Sequence, residues 1–397
     1  MLQPGRRHQL YGFFDWILLR TKKVVRIGMG LTLGAVYFPV AWVWTRHPRD
    51  PVAVAVSNVL MLGFFGSQKS SLSARLLARQ VRHRQVNGVF FVGENVGNSK
   101  DLAGLSNLFC ASENTPLLAI DHEGGAVQRL SQRHGVTKLP RALRVGSSKL
   151  SFGQVKALYA HAGSEFGKWG FNVNFGPVLD FHDPQNSVIG RYGRSFGGDA
   201  RNITVHAAAF VDGFSSQGII CALKHFPGHG YSTGDSHYQT ADISSTWSDN
   251  ELEPYRQLIS LGRAPMIMCG HLRLDSMEPS GRPATLSSAI IKGILRDRLG
   301  FDGVVVTDDL DMEAISATHD RRRAVIDALK AGNDLIMIKN LFRYDPLLPK
   351  RALYWIRQAI KNGELEESRV LEAGSRVMKL KDRCGKIKRD PGESPRN

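Results

Sequence analysis

The stretch IICALKHFPGHGYSTGDSH, residues 219–237, decides the fold. Five apolar residues (219–223) give way abruptly to Lys224 and His225, and then to a loop punctuated by Pro227, Gly228 and Gly230. A short continuous apolar run ended by such a loop reads as a strand covered on both faces, as in a parallel sheet. The same unit recurs along the chain. Comparable runs lie at 59–65 (VLMLGFF), 89–92 (VFFV), 117–120 (LLAI), 171–175 (FNVNF), 266–269 (MIMC), 304–307 (VVVT) and 335–338 (LIMI), with helix-like stretches between them. Eight such units in one domain predict an α/β fold, a single TIM-type (β/α)8 barrel, with a doubly wound open sheet as the alternative.

The residues that follow these runs are titratable. Asp121 follows the third, Asp180 lies just past the fourth, Lys224 and His225 follow the fifth, His271 the sixth and Asp308 the seventh. In a barrel these strand ends converge on one face, where sites are built. A strand has to end in something polar, which accounts for one or two of these positions but less well for Lys-His and Asp-His-Glu clusters. The loop after the fifth run holds His225, His229, Asp235 and His237. By residue type alone it admits a metal site, a histidine acid/base partnered by an aspartate, or plain hydrogen-bonded structure. The spacing is not HExxH, which weakens the zinc-hydrolase reading.

The bulk composition sets limits. The chain has 397 residues, 42% hydrophobic and 22% charged, enough for a substantial core. A net charge of +16 raises nucleic acid or an anionic surface as partners, but many of the basic residues crowd the two ends and no zinc-finger or RNP-like motif lies between them. No nucleic-acid partner is expected. The four cysteines form no CxxC pair, so neither a zinc knuckle nor a dense disulfide framework is indicated.

The front of the chain reads as a membrane signal. Residues 27–44, IGMGLTLGAVYFPVAWVW, carry no charge and are preceded by Arg20, Lys22, Lys23 and Arg26. That length and flanking charge predict a transmembrane anchor over 24–45 that touches the lipid bilayer, with a basic cytoplasmic N-terminus at 1–23. The globular domain, 52–383, then faces the periplasm or exterior of a cytoplasmic (inner) membrane, and the basic tail 384–397 is disordered. The competing readings are a cleaved signal peptide and a cytoplasmic protein.

The motifs together resemble one family. KHFPGHG followed by DSH is similar to the signature of glycoside hydrolase family 3 β-N-acetylglucosaminidases, the NagZ type. The resemblance continues in MLGFFG (61–66), GVFFVGENVG (88–97), DHEGGAVQRL (121–130), GPVLDF (176–181), GRSFGGD (193–199), PATLS (283–287) and GVVVTDDLDM (303–312). It implies a retaining exo-hydrolase that releases terminal β-linked N-acetylglucosamine from cell-wall (peptidoglycan) fragments or related glycans, with no cofactor and no metal. Asp308 is implied as the nucleophile that attacks the anomeric carbon. Its neighbour Asp309 is the rival, and alternation along a strand lets only one of the two face the pocket. His237 is implied as the acid/base, with Asp235 orienting its ring. Asp121, Arg129, Arg194, Lys224, His225 and His271 are implied as carbohydrate-binding residues, and His229 as loop structure. The sequence departs from the family at Ala126, where Arg is common, and in extra residues at 191–193. A monomer is expected. The alternatives are a phosphorylase or β-glucosidase of the same family, a metal-dependent hydrolase on His225, His229 and His237, and an inactive membrane-tethered glycan-binding module.

Overall fold

A computed structural model describes residues 50–111, 115–232, 240–341 and 343–383. Residues 1–23, the segment 24–45, the tail 384–397, and Asp235 and His237 lie outside the described residues. Among the described residues no helix is long and apolar enough to cross a membrane.

All eight apolar runs become parallel strands: β1 (Leu60–Leu62), β2 (Gly88–Phe91), β3 (Leu117–Ile120), β4 (Val173–Asn174), β5 (Ile220–Phe226), β6 (Met266–Cys269), β7 (Val304–Thr307) and β8 (Ile336–Ile338). Each pairs with its neighbour in chain order, and β8 also pairs with β1. A parallel bridge between Val306 and Leu335, with Thr307 N–H donating to Leu335 O at 3.0 Å, joins β7 to β8. The result is a nearly closed eight-strand barrel, and the open-sheet alternative falls. The covering helices are α1 (Pro51–Val59), α2 (Leu72–Arg82), α3 (Ser99–Cys110), α4 (Phe152–Lys168), α5 (Ala200–Ser215), α6 (Glu253–Ser260), α7 (Arg321–Ala331), α8 (Leu348–Lys361) and α9 (Glu367–Arg383), with a π-type helix over Ala289–Arg298.

The period-two pattern of each strand divides its side chains between two cores. Met61, Phe90, Leu117, Val173, Ala222, Met268, Val306 and Met337 fill the barrel interior. Leu62, Phe91, Leu118, Cys221, Ile267, Val305 and Ile338 point outward into the layer under the helices. Runs apolar on both faces, with no alternation, are therefore what this fold requires. Val377 and Leu380 of α9 join the interior core, so that helix plugs one end. Gly374 lets α9 lie against α1, because a Cβ there would meet Ala55 Cα at 2.8 Å.

Five of the eight strands differ in their bounds from the runs read in the sequence, two of them for evident local reasons. The first run begins inside α1, which Asp50 caps by accepting from Ala53 N–H at 2.9 Å. The fifth strand runs past Leu223 to Phe226, because Lys224 exchanges backbone hydrogen bonds with Pro177 and Leu179 and Phe226 O accepts from Gly270. The π-type helix was not legible in the sequence.

Candidate active site

At the open end of the barrel the strand ends and their loops enclose a cavity of about 1060 Å³. Its lining includes Asp121, Arg129, Arg194, Lys224, His225 and Asp308. Of the implied site residues within the described chain, only His271 is not among them. Lys224 and His225 are consecutive, yet both reach the cavity. The register of β5 against β6 shifts between Leu223 and Phe226, and this irregularity breaks the alternation that would otherwise send one of them outward.

A network of five charges forms one wall. Lys224 Nζ donates to Asp121 Oδ1 and to Glu123 Oε1, each at 2.7 Å. Arg194 grips Glu123 bidentately, Nε to Oε2 at 2.9 Å and Nη2 to Oε1 at 2.8 Å. Arg129 stands 3.9 Å from the other Asp121 oxygen, Oδ2. Glu123 is almost fully buried. Burial alone would raise its carboxyl, but Arg194 and Lys224 outweigh it and hold it well below the usual range. Burial likewise works against the Lys224 ammonium, while Asp121 and Glu123 keep it charged. Glu123 sits in the DHEGG motif but was assigned no role from sequence. Its partner Arg194 is 71 positions away, and no local pattern announces the pair. Asp121 itself lines the cavity, where a carboxylate can accept from substrate hydroxyls.

His225 belongs to a second missed pair. Its Nδ1 donates to Asp180 Oδ2 at 2.7 Å, and Asp180 Oδ1 also accepts the backbone N–H groups of His225 (3.1 Å) and His229 (2.8 Å). Burial opposes the Asp180 charge, yet the two histidines and these donors lower its carboxyl below the ordinary value. An ionised Asp180 holds Nδ1 of His225 as a donor, which leaves Nε2 as the nitrogen for a ligand. His229 also lines the cavity, with Nδ1 at 2.6 Å from Ser232 Oγ. Burial pushes its imidazole down to about 4, so it is neutral at physiological pH.

Asp308 lies at the end of β7, half-buried, with Oδ1 accepting from Asp309 N–H at 2.8 Å. Burial by itself would raise the Asp308 carboxyl, but the positive charge of His271, then of His225 and Lys224, brings it below the ordinary value. Asp309 differs. Its Oδ1 accepts from Asp311 N–H (3.0 Å) and Lys339 N–H (2.8 Å), tying together the loops after β7 and β8. Burial and the Asp311 charge push its carboxyl up to about 7. Both aspartates touch the cavity, but only Asp308 combines a free lobe with a stabilised charge.

His271, implied as a sugar ligand, lies behind the wall instead. It is fully buried, with Nε2 donating to Asp309 O at 2.9 Å and Nδ1 at 2.9 Å from Thr285 Oγ1. The single Thr285 proton has Gly270 O as its near acceptor at 2.7 Å, so Nδ1 donates to the hydroxyl as well. Both ring nitrogens are thus engaged by the protein, and the ring lies where its charge lowers the Asp308 carboxyl.

Residues 61–380 match the glycosyl hydrolase family 3 N terminal domain. The chain belongs to glycoside hydrolase family 3. It is 32% identical over 289 residues to a β-hexosaminidase of Tolumonas auensis, covering 71% of this chain and 82% of that protein. It is 34% identical over 302 residues to the β-hexosaminidase LpqI of Mycobacterium tuberculosis, covering 72% of this chain and 74% of that one. Among solved structures, a family 3 β-N-acetylglucosaminidase from Paenibacillus sp. superposes with a TM-score of 0.75 at 33% identity. That match covers 87% of this chain but 64% of the Paenibacillus chain, so part of the larger protein has no counterpart here. A β-N-acetylhexosaminidase from Beutenbergia cavernae gives 0.74 at 27% identity, with 85% of this chain covering 100% of that chain. This family 3 glycoside hydrolase thus carries its cavity where barrel sites are built, at the ends of β3, β4, β5 and β7. Among the described residues no three His, Cys, Asp or Glu side chains converge as a metal-ligand set.

Proposed function

We propose that the chain is a retaining exo-β-N-acetylglucosaminidase acting on terminal β-linked N-acetylglucosamine of cell-wall fragments or related glycans. The observation that carries the reading is the Asp308 carboxylate, held ionised on a rigid strand end inside a hydroxyl-binding cavity. The relatives named β-hexosaminidase support the sugar class. In the first step an Asp308 oxygen bonds to the anomeric carbon, the glycosidic C–O bond breaks, and its electron pair takes a proton from His237 as the aglycone leaves. In the second step water attacks the same carbon, gives a proton back to His237, and releases Asp308. Asp235 orients His237. Asp121, Lys224, His225 and Arg194 hold the sugar hydroxyls or the side chains that do so. The apolar segment 27–44 with its basic flank anchors the chain in a cytoplasmic membrane, with the barrel on the outer side.

The test uses an aryl β-N-acetylglucosaminide and the matching glucoside. The former is the better substrate, and Asp308→Ala lowers turnover by about 10³-fold or more. Activity on neither substrate, or activity surviving the substitution, overturns the reading. His237→Gly spares aryl glycosides with very good leaving groups relative to poor ones; equal loss on both removes the acid/base role. Phosphorolysis would show as a glycosyl phosphate product when phosphate is added. Carbonate extraction tests the anchor, which fails if the native chain is fully soluble without detergent.

A further inference from the structure

Helix α2 reads LSARLLARQVR and α8 reads LPKRALYWIRQAIK, and neither contains an acidic residue. On α2, Leu72, Arg75, Arg79 and Arg82 follow an i, i+3, i+7, i+10 spacing, and all four are exposed. Around α8, Leu347, Lys350, Arg351, Tyr354, Arg357 and Lys361 share one face in the same way. Tyr354 is 62% and Leu72 52% exposed, among the most exposed large apolar side chains described. The two helices are neighbours: Gln80 Nε2 of α2 donates to Pro346 O at 2.8 Å, one turn before α8. Their charges crowd each other. Burial and then the Arg79 charge press the Lys350 ammonium below its usual value. The guanidinium groups of Arg75, Arg79 and Arg82 form no ion pair or side-chain hydrogen bond among the described residues.

A solvated basic face ordinarily alternates with acidic residues, as on α9, where Arg369 and Arg376 both reach Glu372. Helix α2 lacks that neutralisation, and although Arg351 and Arg357 of α8 pair with Asp345 and Asp50, the combined face keeps an excess of cations with Leu72 and Tyr354 interleaved among them. Its place in the chain supplies the partner. Asp50, the cap of α1, is held by Arg357 Nη2 of α8 at 2.6 Å. Only residues 45–49 separate Asp50 from the end of the apolar segment 27–44, a reach of at most about 20 Å.

We infer that the α2/α8 face docks on an anionic phospholipid surface, the headgroups of the membrane that the apolar segment enters. The inference rests in part on the anchor proposed above, and in part on a charge pattern independent of it. Arginines neutralise the headgroups, while Tyr354 and Leu72 sit at the interfacial level. Docking α8 would fix the barrel's orientation relative to the bilayer and so the direction in which the cavity opens.

The test uses the full chain in nanodiscs of neutral phosphatidylcholine or of discs rich in phosphatidylglycerol. Amide exchange in α2 and α8 slows by about fivefold or more in the anionic discs, the factor that one basic residue contributes at such a surface. Molar salt abolishes the difference. The combined variant Arg75→Gln, Arg79→Gln, Arg82→Gln loses the slowing but keeps wild-type activity on an aryl glycoside, which shows it is folded. If the full chain stays soluble, the anchor has failed, and sedimentation with the same two lipids as vesicles decides the face by itself. Equal exchange or sedimentation with both lipids, an unchanged variant, or displacement from anionic lipid by equimolar duplex DNA overturns the inference.

Discussion

Two buried ion clusters sit at opposite ends of the same barrel, and they are built differently. At the plugged end Asp334 is fully buried and saturated. It accepts from Arg296 at 2.6 Å, Arg369 at 2.7 Å and the backbone of Val305 at 3.0 Å, with Arg376 at 3.6 Å. Arg369 and Arg296 spend further donors on the carbonyls of Asn333, Phe301 and Gly303. Nothing in that cluster is left for a ligand. At the open end Glu123 plays the part of Asp334, with Arg194 and Lys224 as its cations, but Asp121 completes the set from the cavity side with a side chain 28% exposed. Both clusters meet the requirement that buried charge be paired. The difference is that one cluster closes on itself and the other reaches the cavity through Asp121, the residue proposed above to meet the substrate.

That contrast breaks most sharply under substitution. Lys224→Met leaves Glu123 with one cation fewer and removes the hold on Asp121. It lowers kcat/KM by about 10²-fold or more and also destabilises the fold, since stripping one partner from a buried pair costs about 3–5 kcal/mol. Arg369→Met at the other end carries a similar stability cost, but the folded fraction keeps wild-type kcat and KM. Denaturant midpoints and steady-state kinetics on both variants check this. A kinetic defect in Arg369→Met of the same size would mean that the clusters are coupled through the barrel.

His271 sharpens the comparison from inside the open end. Its charge acts on Asp308, whose carboxyl it helps bring below the ordinary value. Replacing it by glutamine keeps a donor for Asp309 O but removes the charge. The Asp308 carboxyl, now held below its ordinary value, then rises, so the acidic limb of kcat/KM against pH moves to higher pH. A limb that stays in place after His271→Gln would assign that histidine to packing alone.

The strands were legible because each had to be apolar on both faces, and three of them (117–120, 266–269 and 304–307) have the bounds read from sequence. The strand-end residues Asp121, Lys224, His225 and Asp308 were legible as well, because topology alone brings parallel strand ends together. Glu123, Asp180 and Thr285 were not assigned. Each acts through a partner 71, 45 or 14 positions away, and a pairing made in space leaves no period in the chain. His271 was read as a ligand because a strand end can point either into the cavity or behind it, and residue type does not say which.

Glu251 is a third kind of buried charge. It belongs to neither cluster, and no side chain among the described residues pairs with its carboxylate. It lies beneath the turn after β5, where a Cβ on Gly228 would meet Glu251 Oε2 and where Trp247 Nε1 donates to Pro227 O at 3.1 Å. Burial, and then the Asp180 charge, push its carboxyl up to about 8. The folded state therefore binds a proton that the unfolded chain releases near the ordinary glutamate value of about 4.3, and stability falls as pH rises from there toward 8. Glu251→Gln removes that slope, so the variant gains on the wild type as pH rises, by at least about 1 kcal/mol at pH 8. Parallel melting curves for the two proteins between pH 5 and 8 would show the carboxyl to be ionised and compensated.

The smallest effect is expected where the open end meets solvent. Arg191 and Tyr192 belong to the extra residues noted in the sequence, and both line the cavity from its exposed rim. Tyr192 is 43% exposed, with the Arg191 guanidinium 5.8 Å from its ring centroid. The turn behind them is fixed, because Arg191 N–H donates to Asn186 O, Leu143 N–H donates to Gly193 O, and Gly193 holds a φ of 62°. If the enzyme acts on chain ends as proposed above, the terminal sugar lies among the buried charges and an aromatic ring at the mouth meets the aglycone. Stacking of this kind contributes about 0.5–1.5 kcal/mol, or roughly twofold to twelvefold in kcat/KM. Tyr192→Ala should lose that factor on a disaccharide and lose nothing on the glycosyl fluoride, which has no aglycone ring to stack. The ratio of the two substrates is the readout, because it cancels any change shared by the buried clusters. An equal loss on both would place Tyr192 with the terminal sugar and move the boundary between the two subsites deeper into the cavity.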